Sequence, residues 1–463
     1  MPTPTAHDPH LPADPTSRPR SGVRGEAARA ETRRRPRPST GVLTHLAITV
    51  LIAAVWLAVG PGDGLQQNHV AELLGVESVW LMSSSVLVLT RSARVERSFG
   101  GVAGALWWHR VAGAVGVGLG VVHPVLLVPD GGRPASLFAE LLDPLTALAV
   151  VLTAWALMTP TSRVASWRGP LGWLARRSYD RWRAMHGVLA AFLVVAMAHG
   201  VADSVSLRER PVLAVVYAGV CALGLYAVIE RMVITRSGVR DVPGTVVAVE
   251  RHGTDVAVIT IAPERPIRYA AGQFVELGVP VSGERPHPLT LTSAPDQPDL
   301  QVAVRAVGTG TARVVAGVRA GDRVSLGPVR GLFRHEGAGA RQVWLAGGIG
   351  IAPFVSWVRA QGEHYPDHHV DLIWSSRGFE TEPFADELLD AALRLEWLDV
   401  HLHDTTRLAR LTAGDIVAVA GGRADAISVL ACGSPAMVST LCTDLRAAGV
   451  PRGRLRTEAL SYR

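Results

Sequence analysis

The stretch that decides the fold of the amino-terminal half is HRVAGAVGVGLGVVH at residues 109–123. A second stretch, HGVLAAFLVVAMAH, follows at residues 186–199. Ionisable side chains are costly inside a membrane, and by default they mark function. Fourteen helical residues span about 21 Å, so the ends of each run are expected near opposite faces of a bilayer. Each run therefore offers a histidine at two depths: His109 and His123, and His186 and His199.

The two runs together predict paired metal ligands. A single membrane histidine often only bonds to a neighbouring helix, but two matched pairs favour two stacked haems with neutral imidazoles as axial ligands. Fourteen residues return a side chain to nearly the same helix face, whereas the thirteen from His186 to His199 do not. The run at 186–199 is therefore expected to depart from ideal helical geometry or to present its ligands obliquely.

The surrounding sequence predicts a six-helix membrane bundle over residues 41–233. Hydrophobic residues are 48% of the 463-residue chain and charged residues 19%, which disfavours a purely soluble protein. A helix needs about 20 apolar residues to span. The run Leu73–Thr90 contains Glu77 and three serines and is the weakest candidate for a membrane span. The six runs are Val42–Gly60, Leu73–Thr90, Val102–Val128, Leu137–Met158, Ala184–Ala202 and Pro211–Glu230.

Most of the positive net charge of the chain lies in its first forty residues. Residues 1–40 hold eight arginines against four acids, which is +4 of the formal +6, in a tail whose composition predicts disorder. No nucleic-acid partner is therefore expected, and the tail is too polar for a signal peptide. Cys221, Cys432 and Cys442 form no CxxC pair, so neither a zinc site nor a disulfide framework is expected.

Arginines flanking the runs predict orientation, because cytoplasmic loops carry the excess of basic residues. The loops after the second and fourth runs and the exit from the sixth are rich in arginine, and they lie on the same side as the tail. The sequence thus predicts an integral protein of the cell membrane, surrounded by lipid, with both termini cytoplasmic.

The carboxyl-terminal half reads as two soluble domains. Residues 240–336 alternate short β-rich segments with turns, as in a small antiparallel barrel. Residues 341–463 place strands before glycine-rich or polar turns, with helical stretches between them. That pattern predicts a parallel nucleotide-binding sheet whose ligand lies at the carboxyl ends of the strands.

Three motifs in this half are suited to phosphate. The first offers hydroxyls and a guanidinium, and the other two offer glycines that let a backbone approach a pyrophosphate closely. The glycine motifs taken alone are also common in plain turns. The first motif comprises Arg285, His287, Pro288, Leu289, Thr290, Thr292 and Ser293. The second comprises Arg305, Gly308 and Thr311, and the third Gly347, Gly348, Gly350 and Pro353, joined later by Cys432 and Gly433.

From about residue 42 to residue 463 the chain resembles the ferric reductase and NADPH oxidase family. The histidine spacings of fourteen and thirteen are similar to those of its transmembrane domain. HPLTLTS at 287–293 resembles the family's flavin motif, with Leu289 where phenylalanine is usual. The R-x-x-G-x-x-T segment at 305–311 is similar to its second flavin-phosphate segment, and the glycine turn with Cys432-Gly433 resembles its nicotinamide-nucleotide lobe.

The resemblance implies an electron path from cytoplasmic NADPH through FAD and two b-type haems to an external acceptor. It implies an inner haem on His109 and His186 and an outer haem on His123 and His199. Phe192 would be the aromatic between them, with core packing as the plainer interpretation. Tyr462 would cover the flavin ring, unless the terminus is frayed. Cys432 would lie by the nicotinamide, or be a buried small hydrophobe.

The donor and acceptor are open to more than one interpretation. Arg377, helped by Ser376, closes the strand VDLIWSSR, where a guanidinium can grip the 2′-phosphate of NADPH; the alternative is a solvated loop arginine. The external loops hold His69 and scattered acids but no iron-binding spacing, which slightly favours dioxygen over a ferric chelate. A haem-free, membrane-tethered flavin reductase and a sensor without turnover are the remaining alternatives. Protein partners are not predicted.

Overall fold

The structure, a computed structural model, describes residues 39–60, 67–90, 92–127, 137–157, 186–235, 238, 240–283, 286–362, 365 and 368–459. The predicted tail therefore lies outside the described residues apart from its last two positions. Arg285 and Tyr462, both proposed at the flavin, also lie outside them. We refer to residues 39–235 as the helical half and to residues 240–459 as the carboxyl-terminal half.

Among the described residues, the helical half consists of helices packed against one another. Two short helices, α3 and α7, lie between longer ones, and α8 continues into a π-helical turn at Glu230–Ile234. The helices are α1 (Thr40–Ala58), α2 (Gln67–Leu87), α3 (Ala93–Ser98), α4 (Val102–Leu126), α5 (Leu137–Leu157), α6 (Leu189–Asp203), α7 (Val205–Glu209) and α8 (Pro211–Ile229).

Within the described residues, four helices are long and apolar enough to cross a membrane: α1, α2, α4 and α8 with its π-helical turn. The predicted fourth and fifth spans coincide with shorter apolar stretches, Pro144–Ala154 within α5 and Leu189–Asp203, which is α6. In the fifth run a turn at Gly187 and Val188 precedes the helix Leu189–Asp203. The prediction of six spanning helices is thus matched by four candidates in this part of the chain.

Helix α2, the weakest span by composition, is the most enclosed in the structure. In its most apolar window 67% of the residues are buried, against 28% in α1, α4 and α8. Its serines bond to α4: Ser78 Oγ donates to the Gly116 carbonyl at 2.7 Å, and Trp108 Nε1 donates to Ser84 Oγ at 3.3 Å. Polar side chains are tolerated here because neighbouring helices satisfy them.

The first domain of the carboxyl-terminal half is a six-stranded antiparallel sheet, in the order β4-β3-β6-β1-β2-β5. A bridge between Leu291 and Val302 joins the segment after β4 to β5 and closes the sheet into the expected barrel. One helix, α9 (Thr309–Gly317), and a 3₁₀ turn at Pro280–Ser282 flank it. The strands are β1 (Val242–His252), β2 (Val256–Pro263), β3 (Phe274–Gly278), β4 (His287–Thr290), β5 (Leu300–Arg305) and β6 (Arg323–Leu326).

The second domain is a five-stranded, fully parallel sheet in the order β11-β10-β7-β8-β9. Helices cover both faces, so its central strands are almost wholly buried, as parallel sheets require. The strands are β7 (Arg341–Gly347), β8 (His369–Ser376), β9 (Leu398–Asp404), β10 (Ser428–Gly433) and β11 (Leu455–Ala459). The helices are α10 (Ala352–Gln361), α11 (Ala385–Arg394), α12 (Ala413–Val419) and α13 (Pro435–Ala447), with 3₁₀ turns at Gly348–Ile351 and Arg452–Arg454.

Helix α10 ties the two domains together at the strand end that carries the first phosphate motif. Ser356 Oγ donates to the Ser293 carbonyl at 2.8 Å, and Arg359 donates to the Thr292 carbonyl at 3.0 Å. The barrel also touches the helical half, because the Gly331 N–H donates to Glu96 Oε1 of α3 at 3.3 Å. These contacts place the carboxyl-terminal half against the α3 end of the helical bundle.

Candidate functional site

The four predicted histidines meet as two pairs in the helical half. The ring centroids of His109 and His186 lie 5.8 Å apart, and those of His123 and His199 lie 6.1 Å apart. Two imidazoles that bind one metal ion from opposite sides, through bonds of about 2.0–2.1 Å each, have ring centroids about 6 Å apart. The separation in both pairs therefore fits one iron between two axial ligands.

The hydrogen bonds of the rings fit the same role. His109 Nδ1 lies 2.9 Å from the Ser85 carbonyl oxygen, and His123 Nδ1 lies 2.7 Å from the Ala71 carbonyl oxygen. His199 Nδ1 lies 2.7 Å from Asp203 Oδ2. A ligating histidine usually donates its other ring N–H to a carbonyl or carboxylate. In these three rings Nδ1 has that partner, which selects Nε2 as the ligand atom.

The departure from ideal geometry expected in the second run occurs beside His186. His186 is itself helical, Gly187 and Val188 form a turn, and α6 begins at Leu189. The turn therefore interrupts the regular helix between His186 and His199. Phe192 lies between them on α6 and is 4% exposed, packed in the core of the helical half.

At the α6–α7 end of the bundle, His69 differs from its sequence-based prediction. It was expected in a loop, but α2 begins at Gln67 and the ring is 4% exposed. Its Nδ1 lies 3.0 Å from Ser206 Oγ, and its Nε2 lies 3.0 Å from the Trp56 carbonyl oxygen. Both ring nitrogens serve structural contacts, so His69 offers no ligand atom to an external metal.

The glycine turn and the Cys432-Gly433 segment, about eighty residues apart in the chain, meet at the ends of β7 and β10. A Cβ at Gly350 would lie 2.5 Å from the Cys432 carbonyl oxygen and 2.9 Å from Gly433 Cα. Gly348 has φ +53°, in the left-handed region that favours glycine. Only glycine allows this approach, and the partly buried turn lies where a parallel sheet binds its ligand.

A cavity of about 440 Å³ opens at this edge of the sheet. It is lined by predicted residues together with several that were not predicted. The predicted ones are Gly347, Gly348, Ser376, Arg377 and Arg305, and the others are Asp255, Ser375, Thr381, Glu382, Thr405, Ser434 and Met437. The volume lies within the range of small-molecule sites.

Within the cavity, Glu382 organises the charged groups. Arg305 NH2 donates to Glu382 Oε1 at 2.7 Å, and Ser376 Oγ donates to the same carboxylate oxygen. Arg305, which was predicted at a flavin phosphate, lies in the lining of this cavity, to which both domains contribute. Ser376 was predicted to help Arg377, but its hydroxyl already bonds to Glu382. Arg377 lies exposed at the rim.

The hydroxyls of the first motif make hydrogen bonds within the barrel. Thr292 and Ser293 are fully buried, with Thr292 Oγ1 donating to Gln301 Oε1 at 3.0 Å and Ser293 Oγ 2.8 Å from the Tyr269 hydroxyl. Leu289 and Thr290 are also buried, whereas Pro288 is exposed and His287 is half-buried. The hydroxyls predicted for a ligand therefore hold the strand in place.

In the second motif, Thr311 caps the start of α9. The Val307 and Gly308 backbone N–H groups each donate to Thr311 Oγ1 at 3.1 Å. Gly308 precedes the helix in extended conformation.

Cys432 is fully buried beside Glu458, with which it is in register across β10 and β11. Burial raises the pKa of the Cys432 thiol, so it is protonated and inert at neutral pH. Burial, and secondarily the nearby Glu96, raises the pKa of Glu458 to about 7. Glu458 was not among the residues predicted from the sequence to form the site.

No protein-family model matches the chain. It is 28% identical over 233 residues to the ferredoxin–NAD(P)⁺ reductase component of a naphthalene 1,2-dioxygenase system from Pseudomonas putida, covering 48% of this chain and 69% of that protein. It is 33% identical to the reductase subunit of an aromatic O-demethylase from an Amycolatopsis species, covering 30% of this chain and 44% of that protein. The chain thus spans less than half of this second relative.

The carboxyl-terminal half is a ferredoxin reductase-type FAD- and NAD(P)-binding module. The predicted antiparallel sheet and the α/β nucleotide-binding domain are confirmed for this reductase module. The relatives support NAD(P)H-dependent flavin oxidoreductase chemistry for the chain. A solved ferredoxin NADP⁺ reductase from Neisseria gonorrhoeae with bound FAD and NADP covers 48% of this chain and 98% of its own, with 21% identity and a TM-score of 0.40.

Proposed function

We propose that the protein is a transmembrane oxidoreductase that moves electrons from cytoplasmic NADPH, through FAD and two b-type haems, to an acceptor outside the cell. The observation that carries the proposal is the meeting of the four histidines as two pairs at about 6 Å. A reductase module fused to this bundle supplies the electrons. The proposal places the chain in the ferric reductase and NADPH oxidase family.

The electron count requires both halves. One NADPH gives up a hydride, which is two electrons and one proton, whereas an axially ligated iron takes one electron at a time. A flavin, when bound, accepts the pair and releases single electrons. For dioxygen the balance is NADPH plus two O₂ giving NADP⁺, H⁺ and two superoxide ions. The residues needed are those that bind and orient, and no general base is required.

The inner pair, His109 and His186, belongs near the reductase module, and the outer pair, His123 and His199, belongs at the far end. The contact of Glu96 with Gly331 supports this order, because α3 lies between α2 and the His109 end of α4. Phe192 is proposed as the aromatic between the pairs.

The membrane assignment rests on the four long apolar helices, with α5 and α6 proposed as the remaining two spans. Large apolar side chains on the outer surface of the bundle, such as Val50 at 68% and Val215 at 73% exposure, support contact with lipid. The arginine distribution supports cytoplasmic termini and a place in the cell membrane.

The proposed donor is NADPH, with Arg377 at the rim of the 440 Å³ cavity as the group that meets the 2′-phosphate. An exposed guanidinium is free to turn toward a ligand, and its fork geometry suits phosphate. The glycine turn at Gly347–Gly350 and the start of α13 at Pro435 lie on the same cavity edge, suited to a pyrophosphate.

The proposed acceptor is dioxygen. The outer end of the described bundle uses His69 and Glu72 for structural bonds. Among the described residues, the group of His and Asp side chains close enough to hold a metal lies in the reductase module, at His369, Asp371 and Asp399. Dioxygen needs only access to the outer pair and a favourable field for the superoxide that forms. A ferric chelate is the second candidate, since an exposed haem edge needs no dedicated pocket.

The test follows NADPH-driven reduction of cytochrome c and of a ferric chelate, in air and under argon, with and without superoxide dismutase. We expect a cytochrome c signal in air that dismutase abolishes. Chelate reduction that persists under argon, with no dismutase-sensitive signal in air, would instead establish a ferric reductase. A protein that holds flavin but no haem would establish a membrane-tethered flavin reductase.

A further inference from the structure

One histidine of the outer pair has its Nδ1 in contact with a carboxylate. His199 Nδ1 lies 2.7 Å from Asp203 Oδ2, one helical turn later on α6. The carboxylate is 31% exposed and the imidazole 22% exposed, so both are partly shielded from water. This partial shielding makes the contact stronger than a surface ion pair.

The other two Nδ1 contacts that the structure shows end on neutral acceptors. They are the Ser85 carbonyl for His109 and the Ala71 carbonyl for His123. A carboxylate takes a larger share of the Nδ1 proton than a carbonyl does, so it makes the imidazole a stronger electron donor through Nε2. Of these three rings, His199 is therefore expected to be the strongest electron donor through Nε2.

We propose that Asp203 is a positioning residue that lowers the redox potential of the outer haem by holding the Nδ1 proton of His199. The inference rests on the proposed function, since it requires iron between His123 and His199. A more basic axial ligand stabilises the oxidised, more positively charged metal, and hydrogen bonds of this kind are a recognised means of tuning haem potential.

The fold holds Asp203 in place from both sides. The guanidinium of Arg208 donates to the carbonyl oxygens of Ala202 and Asp203, at 3.2 and 3.1 Å, and so fixes the end of α6. The next two backbone N–H groups after Ser204, those of Val205 and Ser206, donate to the Glu72 carboxylate at 2.8 and 3.2 Å. These bonds fix the backbone that carries Asp203 at the end of α6.

A low redox potential of the outer haem would assist its proposed function. The outer site must pass single electrons to a weak acceptor, and a stronger reductant does so faster. Loss of the Asp203 charge should therefore leave the outer haem more reduced during turnover.

The test is a spectroelectrochemical titration of the purified full-length protein and of its Asp203→Asn and Asp203→Ala variants. Asparagine keeps an acceptor oxygen at the same position. If Asp203 has only a structural role, Asp203→Asn should therefore leave both haem potentials unchanged. The matched control is Glu209→Gln, which removes an exposed carboxylate from the same side without touching a histidine.

We expect Asp203→Asn to retain both haems and to shift one of the two potentials upward. A tenfold change in the redox equilibrium constant is about 59 mV for a one-electron couple, and we expect a shift of about this size. Asp203→Ala should shift the same haem, and Glu209→Gln should shift neither. Two haems with unchanged potentials in both Asp203 variants would overturn this inference alone. Absence of haem from the parent protein would overturn the proposed function together with it.

Discussion

The two halves of the molecule position their candidate sites by different means. In the helical half, side chains form the site, because four imidazoles on two segments meet as two pairs. In the reductase module, backbone segments form the site. The glycine turn and the Cys432-Gly433 segment approach so closely that a single carbon added at Gly350 would collide with the Cys432 carbonyl oxygen. A side-chain site fails when its ligand is removed, whereas a backbone site fails when a side chain is added.

The largest expected effect comes from removing a ligand. His109→Ala or His186→Ala should remove the inner haem and stop electron entry, and His123→Ala or His199→Ala should mainly remove the outer one, because each iron loses an axial ligand. The haem-to-flavin ratio of each purified variant measures this.

The matched control is His69→Gln, which changes a buried helical histidine outside the pairs and should keep both haems. If all four alanine variants hold as much haem as the parent, the ligand assignment is wrong.

Adding a carbon to the backbone site should have the next largest effect. In Gly350→Ala the new Cβ would lie 2.5 Å from the Cys432 carbonyl oxygen, so the turn must move. Overpacking costs about 1–3 kcal/mol. If this free energy is lost from nucleotide binding, the KM for NADPH should rise roughly tenfold. Gly453→Ala, where no heavy atom lies within 4 Å, is the control in the same module. Equal KM values in both variants would show that the close approach is not needed.

Arg377 tests whether a side chain at the backbone site sets its specificity. A charge-assisted hydrogen bond contributes about 1.5–3 kcal/mol, so Arg377→Ala should reduce the preference for NADPH over NADH by roughly tenfold or more. The ratio of kcat/KM for the two donors is the measurement, with the exposed Arg410→Ala as control. An unchanged preference would remove Arg377 from the site.

Much of the two-part architecture follows from the sequence, because histidine spacing, apolar runs and glycine-rich turns are local signals. The paired histidines needed only spacing and helix direction. The ion pair of Arg305 with Glu382 did not follow, because its partners lie 77 residues apart and meet only through the packing of two domains. The break beside His186 was foreseen as a departure from ideal geometry, but its position at Gly187 and Val188 depends on the bundle.

Span count was the least predictable feature of the helical half. Apolar composition marks α5 and α6, but it does not tell where regular helix begins or ends. The same limit explains His69, which was assigned to a loop because the apolar run begins only at Leu73. The helix extends to Gln67 because His69 is held by Trp56 and Ser206, contacts that no local pattern shows.

The smallest expected effect concerns the contact between the halves. Burial raises the pKa of Glu458 to about 7, above its ordinary 4.5, so the folded state prefers the protonated form. The stability from this group is fully present below pH 4.5 and is lost as pH rises through 7, on the order of 3 kcal/mol. Glu458→Gln should therefore raise the flavin-release temperature at pH 8, by about 2–4 °C per kcal/mol, and progressively less toward pH 5. A difference independent of pH would contradict a buried, protonated carboxyl.

The central claim is that a flavin module and two histidine-ligated haems belong to one chain. The most direct measurement is the optical spectrum and cofactor content of the purified full-length protein, with haem and flavin quantified on the same sample. The account predicts two b-type haems for each FAD, with His109→Ala and His123→Ala each reducing the ratio to one. A protein that retains FAD and NADPH oxidation but shows no haem Soret band would contradict it.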